Sequence, residues 1–259
     1  ASLFGKARFA MAPCFGVLGK ACLQPIMQRE YQRSRTDLTP ELRDSLDCVR
    51  FIAEHMPAAE MPIRPPGVHA VRIYTDASGK KRKGRRAPAG HMGFLVIHPT
   101  LGRRYAQAPV PASFVALLDN IKLRDTYIGQ FELLAAITPF LSLPREWFEN
   151  QPVELYIDNS GAVGAIIKGY SGVPDCAKLV NAFHFAVAAS GASSLWCDYV
   201  NTESNPADIP SRMDDAGWQE YFDLTDSEAH GILGEPTEMR IPPMADAGDA
   251  HGTWLPFDH

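Results

Sequence analysis

Val68-His69-Ala70-Val71-Arg72-Ile73-Tyr74-Thr75-Asp76-Ala77-Ser78-Gly79 decides how this chain reads. Side-chain character alternates along it with the two-residue period of a strand, and the run closes on a carboxylate, Asp76, followed by small residues. A second segment, Leu155-Tyr156-Ile157-Asp158-Asn159-Ser160, is built the same way around Asp158. A buried strand that ends in a carboxylate delivers it to the sheet edge, where ligands bind in α/β sheets.

Working outward, residues 80–86 form a basic turn, and residues 92–98 and 104–110 read as two more strands that complete a meander. Residues 127–141 read as a helix, with Phe131, Leu134, Ile137 and Leu141 at helical spacing. Glu132 stands among its apolar residues, where a charge is costly unless it is paired or binds a metal. After the strand at 153–158, helices are predicted over 162–168 and 175–190 and a strand over 194–200. A last helix begins at Pro206 and carries Asp208 in Asn205-Pro206-Ala207-Asp208-Ile209-Pro210-Ser211-Arg212. The order β-β-β-α-β-α-α-β-α predicts an α/β fold, a mixed five-stranded sheet flanked by helices.

Three parts are expected: a helical extension over residues 1–65, the sheet domain over 66–215, and an acidic C-terminal helix and tail over 216–259. In the extension, Thr39 and Pro40 look like an N-cap and first helical position. Leu42, Leu46, Val49, Ala53 and Met56 then fall on one face. Residues 14–29 form an earlier helix with Phe15, Leu18, Cys22 and Ile26 on one side, and the Pro-rich stretch 61–67 is a linker. Residues 231–259 read as a tail whose Trp254, Leu255 and Phe257 are placed to dock on a surface.

The 259 residues, 46% of them hydrophobic, suffice for a real core. No apolar run spans a bilayer, since the best, residues 7–27, is interrupted by Arg8, Pro13 and Lys20; no membrane partner is expected. No secretory signal stands at the N-terminus, and a start at Ala1 in place of Met fits a processed end as well as a piece of a longer polyprotein. Five scattered cysteines (Cys14, Cys22, Cys48, Cys176, Cys197) without a CxxC pair argue against a disulfide framework and a zinc site, and for an intracellular, reducing compartment. The net charge of −5 is uneven: eleven acids against one base from Met213 onward, and 24 bases against 19 acids before it. A mildly basic body suits nucleic acid, and a solvated surface is the competing reading.

Asp76, Glu132, Asp158 and Asp208 are the candidate site. Four carboxylates without histidine or cysteine suit Mg²⁺ or Mn²⁺ better than zinc. Nucleases commonly use two such ions, roughly 3.5–4 Å apart, to activate water and stabilise the leaving oxygen. Singly, each residue has a plainer reading: Asp76 in a turn, Asp158 with Asn159 as a cap, Glu132 facing solvent, Asp208 at a helix N-terminus. The case rests on all four standing in the right elements in the right order.

At these residues the sequence resembles the ribonuclease H domains of retroelement reverse transcriptases, DIRS-like and Bel/Pao-like elements being nearest. Tyr74-Thr75-Asp76-Ala77-Ser78 is similar to the family's first-strand motif and Ile128-Gly129-Gln130-Phe131-Glu132-Leu133-Leu134-Ala135 to its helix motif. Ile157-Asp158-Asn159 with Ala162 resembles its third motif, and Ser204 to Asp208 with Ser211-Arg212 its closing one. The resemblance covers residues 68–215. It implies a ribonuclease H fold, two Mg²⁺ or Mn²⁺ ions held by the four carboxylates, and hydrolysis of the RNA strand of RNA–DNA hybrids. Phe4 to Ala10 and Phe15 to Lys20 are similar to the segment joining the polymerase thumb to that domain, so a polymerase domain or a larger assembly is an expected partner. No aspartate pair of the polymerase type follows an aromatic residue, so this chain is not expected to polymerise alone.

The chain departs from the family in three places. Asp76 and Glu132 are 56 positions apart, a long separation, so residues 111–124 are read as an inserted loop. Residues 191–208 lack the histidine often found before the last aspartate. The family's basic grip on the hybrid is missing between Gly169 and Lys178, and Lys80, Lys81, Arg82, Lys83, Arg85 and Arg86 are candidates to replace it through salt-dependent phosphate contacts. Ser78, Asn159 and Asn205 are further candidate nucleic-acid contacts, Asn205 near a 2′-hydroxyl. Three functions stay open: an active endoribonuclease, a catalytically idle domesticated module with a structural or interaction role, and a related nuclease or transposase acting on DNA. The acidic tail is expected either to mask the basic body or to bind a separate partner.

Overall fold

In a computed structural model, residues 2–10, 17–32, 35–55, 69–81, 83 and 89–242 are described. The predicted linker at 61–67, the tail beyond Pro242 and Met56 lie outside them.

The chain opens with α1 (Leu3–Ala10), a single turn at Ala21–Leu23, α2 (Gln24–Tyr31) and α3 (Pro40–His55). Thr39 caps α3, its Oγ1 accepting from Leu42 N–H at 3.3 Å, as Thr39-Pro40 predicts. The buried face of α3 is Leu42, Ser45, Cys48 and Ile52. The expected stripe is therefore rotated: Leu46 and Val49 are half-buried and Ala53 is exposed. Ser45 tolerates burial because its hydroxyl donates to the Cys22 carbonyl. These helices share a small core of Cys22, Leu23, Ile26, Leu42, Cys48 and Ile52, which closes on Phe185 from later in the chain.

β1 (Val71–Gly79), β2 (Gly90–His98) and β3 (Gly102–Pro109) form the predicted antiparallel meander. Next comes α4 (Ala112–Ile121), in the stretch read as an inserted loop. Its Phe114, Val115 and Leu118 are buried at helical spacing, which is why the segment folds as a helix. α5 (Ile128–Ser142), β4 (Pro152–Ile157), α6 (Ser160–Lys168), α7 (Pro174–Ser190) and β5 (Ser194–Tyr199) then alternate. β4 pairs parallel to β1, and β5 parallel to β4.

The helix expected from Pro206 is the short α8 (Asp208–Arg212), and within 216–259, where one acidic helix is expected, two short ones stand, α9 (Trp218–Phe222) and α10 (Asp226–Leu233). Gly217 and Asp223, both with left-handed backbone (φ 84° and 52°), break the run, and a Thr225–Glu228 capping box restarts it. The two-residue β6 (Glu235–Pro236) adds a sixth strand, giving the order β5-β4-β1-β2-β3-β6. The fold is thus the expected mixed sheet flanked by helices, preceded by a helical extension. No helix of the described residues is long and apolar enough to cross a membrane.

The strand alternation sorts the core. Val71, Ile73, Phe94, Val96, Val153 and Leu155 lie on the face covered by α5, against which α7 packs in turn. On the opposite face Leu95 and Tyr105 pack with Ile209, Trp218, Ala229 and Leu233 of α8–α10. α5 is buried from Gln130 to Phe140, which makes the charge of Glu132 conspicuous.

Candidate metal centre

β1 and β4 run parallel in register from Val71↔Val153 to Thr75↔Ile157. Asp76 and Asp158 are each the next residue. They stand side by side, about one strand spacing of ~4.8 Å apart, but only Asp158 follows the end of its strand; Asp76 does not close β1, which runs on to Gly79 paired with β2. Glu132, in the second turn of α5, enters from the helix layer. One carboxylate oxygen from each of Asp76, Glu132 and Asp158 lies within 4.8 Å of the others. Asp76 and Glu132 are 3% exposed, and Asp158 is half-buried, so the group opens to solvent at Asp158.

The electrostatics of this group favour a cation. Burial pushes the Asp76 carboxyl up to about 7; repulsion from Asp158 and Asp208 adds to this, while the Ser211 hydroxyl and Arg212 oppose it. Burial also raises Glu132 well above the usual carboxylate range, helped by Asp76 and Asp158. Glu132 Oε2 is buried without a hydrogen-bond partner. An orphaned oxygen in a set of mutually repelling, oxygen-only donors fits a hard divalent ion such as Mg²⁺ or Mn²⁺.

Asp208 is 5% exposed in the first turn of α8. It stands outside the three-carboxylate group, its Oδ1 accepting from Arg212 Nε at 2.5 Å. Its charge still reaches Asp76. The Arg212 guanidinium lies over the Tyr221 ring at 5.3 Å, so aromatic packing and an ion pair both fix it. The structure thus gathers three of the four expected ligands and sets the fourth beside them on its own arginine.

Two hydroxyls that sequence reasoning did not assign orient the acids. Ser211 Oγ donates to Asp76 Oδ2, and Thr202 Oγ1 donates to Asp158 Oδ2 at 2.8 Å. Ser211 stood inside the quoted closing motif, whereas nothing in the local sequence singles out Thr202.

The expected nucleic-acid contacts take varied places. Ser78 is half-buried and donates to the Ser211 carbonyl. Asn159 caps α6, its Oδ1 accepting from Ala162 N–H at 3.0 Å. Asn205 is 4% exposed, with Nδ2 donating to the Thr75 carbonyl and Oδ1 accepting from Ala207 N–H; it ties the closing loop to β1. Lys80 faces Asp215 at 3.4 Å, Lys81 and Lys83 are exposed, and Arg82, Arg85 and Arg86 lie outside the described residues.

A cleft of about 670 Å³ borders the centre, lined by Lys122, Arg124, Gln130, Asn159, Gly161 and Cys176 among others. Arg124 is anchored on the fully buried Asp175 at 2.6 Å, and Gln130 donates to the same carboxylate. Lys122 and Arg124 were missed as candidates because they close the stretch read as an inserted loop.

No family model matches the chain, and no curated protein does. Solved structures are similar to it, three of them as follows. Ribonuclease H1 from Halobacterium salinarum is 15% identical with a TM-score of 0.42, over 56% of this chain and 98% of that one. The N-terminal ribonuclease H domain of a Mycobacterium tuberculosis protein, solved as a fusion with maltose-binding protein, is 15% identical at 0.41, over 59% and 99%. A type 1 ribonuclease H with a type 2 active-site motif is 16% identical at 0.40, over 67% and 92%. Likeness this distant leaves the reading of the site to its own geometry.

Proposed function

We propose that the chain is a metal-dependent endoribonuclease that hydrolyses the RNA strand of RNA–DNA hybrids. The observation that carries this reading is the meeting of Asp76, Glu132 and Asp158 around the unpartnered Glu132 oxygen. Asp76, Glu132 and Asp158 would hold the divalent ions, with Asp208 available from α8 if Arg212 releases it. Bound there, the ions supply Lewis acidity to the attacking water and to the scissile phosphate. Thr202 and Ser211 fix the carboxylate rotamers, while Asp158, the least buried of the three, marks the side from which a phosphodiester arrives. Lys122 gives the adjoining cleft positive charge for a backbone strand, Arg124 being balanced by Asp175, and hybrid recognition would rest on A-form shape and 2′-hydroxyls.

Descent from a reverse transcriptase belongs to the same proposal. It is supported by the four motifs and by the helical extension seated on α7 at Phe185. The free thiols of Cys22, Cys48, Cys176 and Cys197 are consistent with an intracellular, reducing compartment.

One observation favours the idle-module reading: the Asp208 carboxylate is already engaged by Arg212. Substrate discrimination separates the readings. With Mg²⁺ or Mn²⁺, the nuclease cuts the labelled RNA of a hybrid and leaves duplex DNA whole. Cutting of duplex DNA alone would move the assignment to a DNA-directed nuclease. Binding without cutting, by a folded sample, would support the module.

A further inference from the structure

A second pocket lies away from the acidic centre, between the helical extension and α7. It holds about 200 Å³ and is lined by Cys22, Ser45 and Cys48 of the extension and by Pro174, Lys178 and Asn181 of α7, among others. Two thiols meet there from separate elements: Cys22 in the turn before α2, and Cys48 in the middle of α3. Both are free and buried, at 8% and 5% exposure. Ser45, one turn before Cys48 on the same buried face of α3, donates to the Cys22 carbonyl, and both thiols line the same pocket. The chain holds the pair in place on both sides: Cys22 Sγ contacts the Gly19 carbonyl at 2.9 Å, and Asn181 Nδ2 donates to Cys48 Sγ at 3.6 Å.

We propose that Cys22 and Cys48 form an oxidant-responsive thiol pair, closed to a disulfide by a peroxide that enters this pocket. Closure brings the sulfurs to the ~2.05 Å of a disulfide. The 25 residues between them, which include all of α2 and the start of α3, become a closed loop.

The two thiols are not equivalent. The Asn181 amide donates to Cys48 Sγ, which favours the thiolate there, whereas Cys22 Sγ faces the Gly19 carbonyl, an acceptor that favours the protonated thiol. Cys48 is therefore the attacking thiolate and Cys22 the resolving thiol. The Cys48 thiolate attacks one peroxide oxygen. The O–O bond breaks, hydroxide leaves and Cys48 becomes a sulfenic acid, the peroxide being reduced by two electrons. Cys22 sulfur then attacks Cys48 sulfur, the S–O bond breaks, and the thiol proton departs with the oxygen as water. Lys178 and the unpartnered Asn181 Oδ1 give the pocket a polar wall for hydrogen peroxide among its apolar lining. Transient disulfides of this kind are the ones found in reducing compartments.

The test treats the reduced, full-length chain with a small molar excess of hydrogen peroxide and maps its peptides without reductant. The expected result is a fall from five free thiols to three, a loss of two hydrogens in intact mass, one Cys22–Cys48 linked peptide, and full reversal by dithiothreitol. Cys22→Ser should halt at a Cys48 sulfenic acid that a dimedone-type probe traps. Cys48→Ser should leave Cys22 a thiol. Links that instead join Cys14, Cys176 or Cys197, or sulfinic acid at Cys48 in the wild type without any Cys22 link, would overturn the proposal. Because the linked peptide is sought in the unsubstituted protein, a variant that fails to fold does not blunt the test.

Discussion

Asp76 has three carboxylates around it and very little water. An ordinary aspartate titrates near ~3.9, and here the carboxyl is pushed up to about 7 by burial and by its acidic neighbours. Between about pH 4 and about pH 7 the folded, metal-free chain holds a proton that the unfolded chain has lost. Stability from this group is therefore largest at the acid end and falls as pH rises, by up to about 1.4 kcal/mol per unit, levelling off above about 7. His184 works in the opposite sense. Burial, opposed by its bond to the Ile166 carbonyl, pushes it down to about 4, so its contribution is lost as pH falls below about 6.5. Comparing wild type with Asp76→Asn cancels the histidine. Urea unfolding in chelator should show the variant gaining on wild type as pH rises toward 7, and added Mg²⁺ should stabilise only the wild type at the alkaline end. A pH-independent difference would remove the case for a strained buried carboxylate.

At this scale the acids were legible because each breaks a local rule: a carboxylate closing an apolar strand, a glutamate inside an apolar helix. The Asp208–Arg212 pair was also within reach, since the two stand at i and i+4 on one helix face. Thr202 was not legible. Its bond to Asp158 joins residues 44 positions apart across a loop whose path local patterning does not determine.

The decisive element is the contact between β2 and α8. Gly93 pairs with Asp76 in the β1–β2 register, and a Cβ at Gly93 would strike the backbone of Pro210 and Ser211. The missing side chain lets α8 press onto the sheet and bring Ser211 and Asp208 to Asp76. Gly93→Ala should therefore cost about 1–3 kcal/mol in urea unfolding through overpacking. It should also lower cleavage more than that loss explains, because it displaces both groups that act on Asp76. Wild-type stability and rate in this variant would mean that α8 does not depend on the close approach.

Strands were the easiest elements to read, because period-two alternation with one face buried leaves little freedom of register. α4 was missed because family spacing, rather than the burial pattern of Phe114, Val115 and Leu118, guided the reading of residues 111–124. β6 was beyond reach: two residues carry no period, and it is held by tertiary contacts such as Arg104–Glu235 at 2.7 Å.

For the whole molecule, the split between a basic body and an acidic C-terminal part was visible in composition, and the structure gives it a location. Asp215 meets Lys80, the Ile232 carbonyl accepts from Arg103, and Glu235 meets Arg104, so the described start of the acidic part folds back over the sheet. The extension is joined to the sheet domain through Phe185, fully buried on α7 in the extension's core. Phe185→Ala should cost about 3–5 kcal/mol of the extension's stability. Hydrogen exchange should then show residues 17–55 losing protection while β1 and β4 keep theirs. Uniform loss across both parts would show them to be one cooperative unit.

The most direct single measurement is cleavage of an RNA–DNA hybrid, labelled on its RNA strand, in Mg²⁺ or Mn²⁺, by the wild type and by Asp158→Asn. The geometry of Asp76, Glu132 and Asp158 predicts cut RNA with the wild type and a loss in the variant that exceeds the roughly 10–100-fold cost of removing a residue that only supports a metal ligand. Intact RNA with both proteins, when circular dichroism shows them folded and both metals have been supplied, would contradict the assignment.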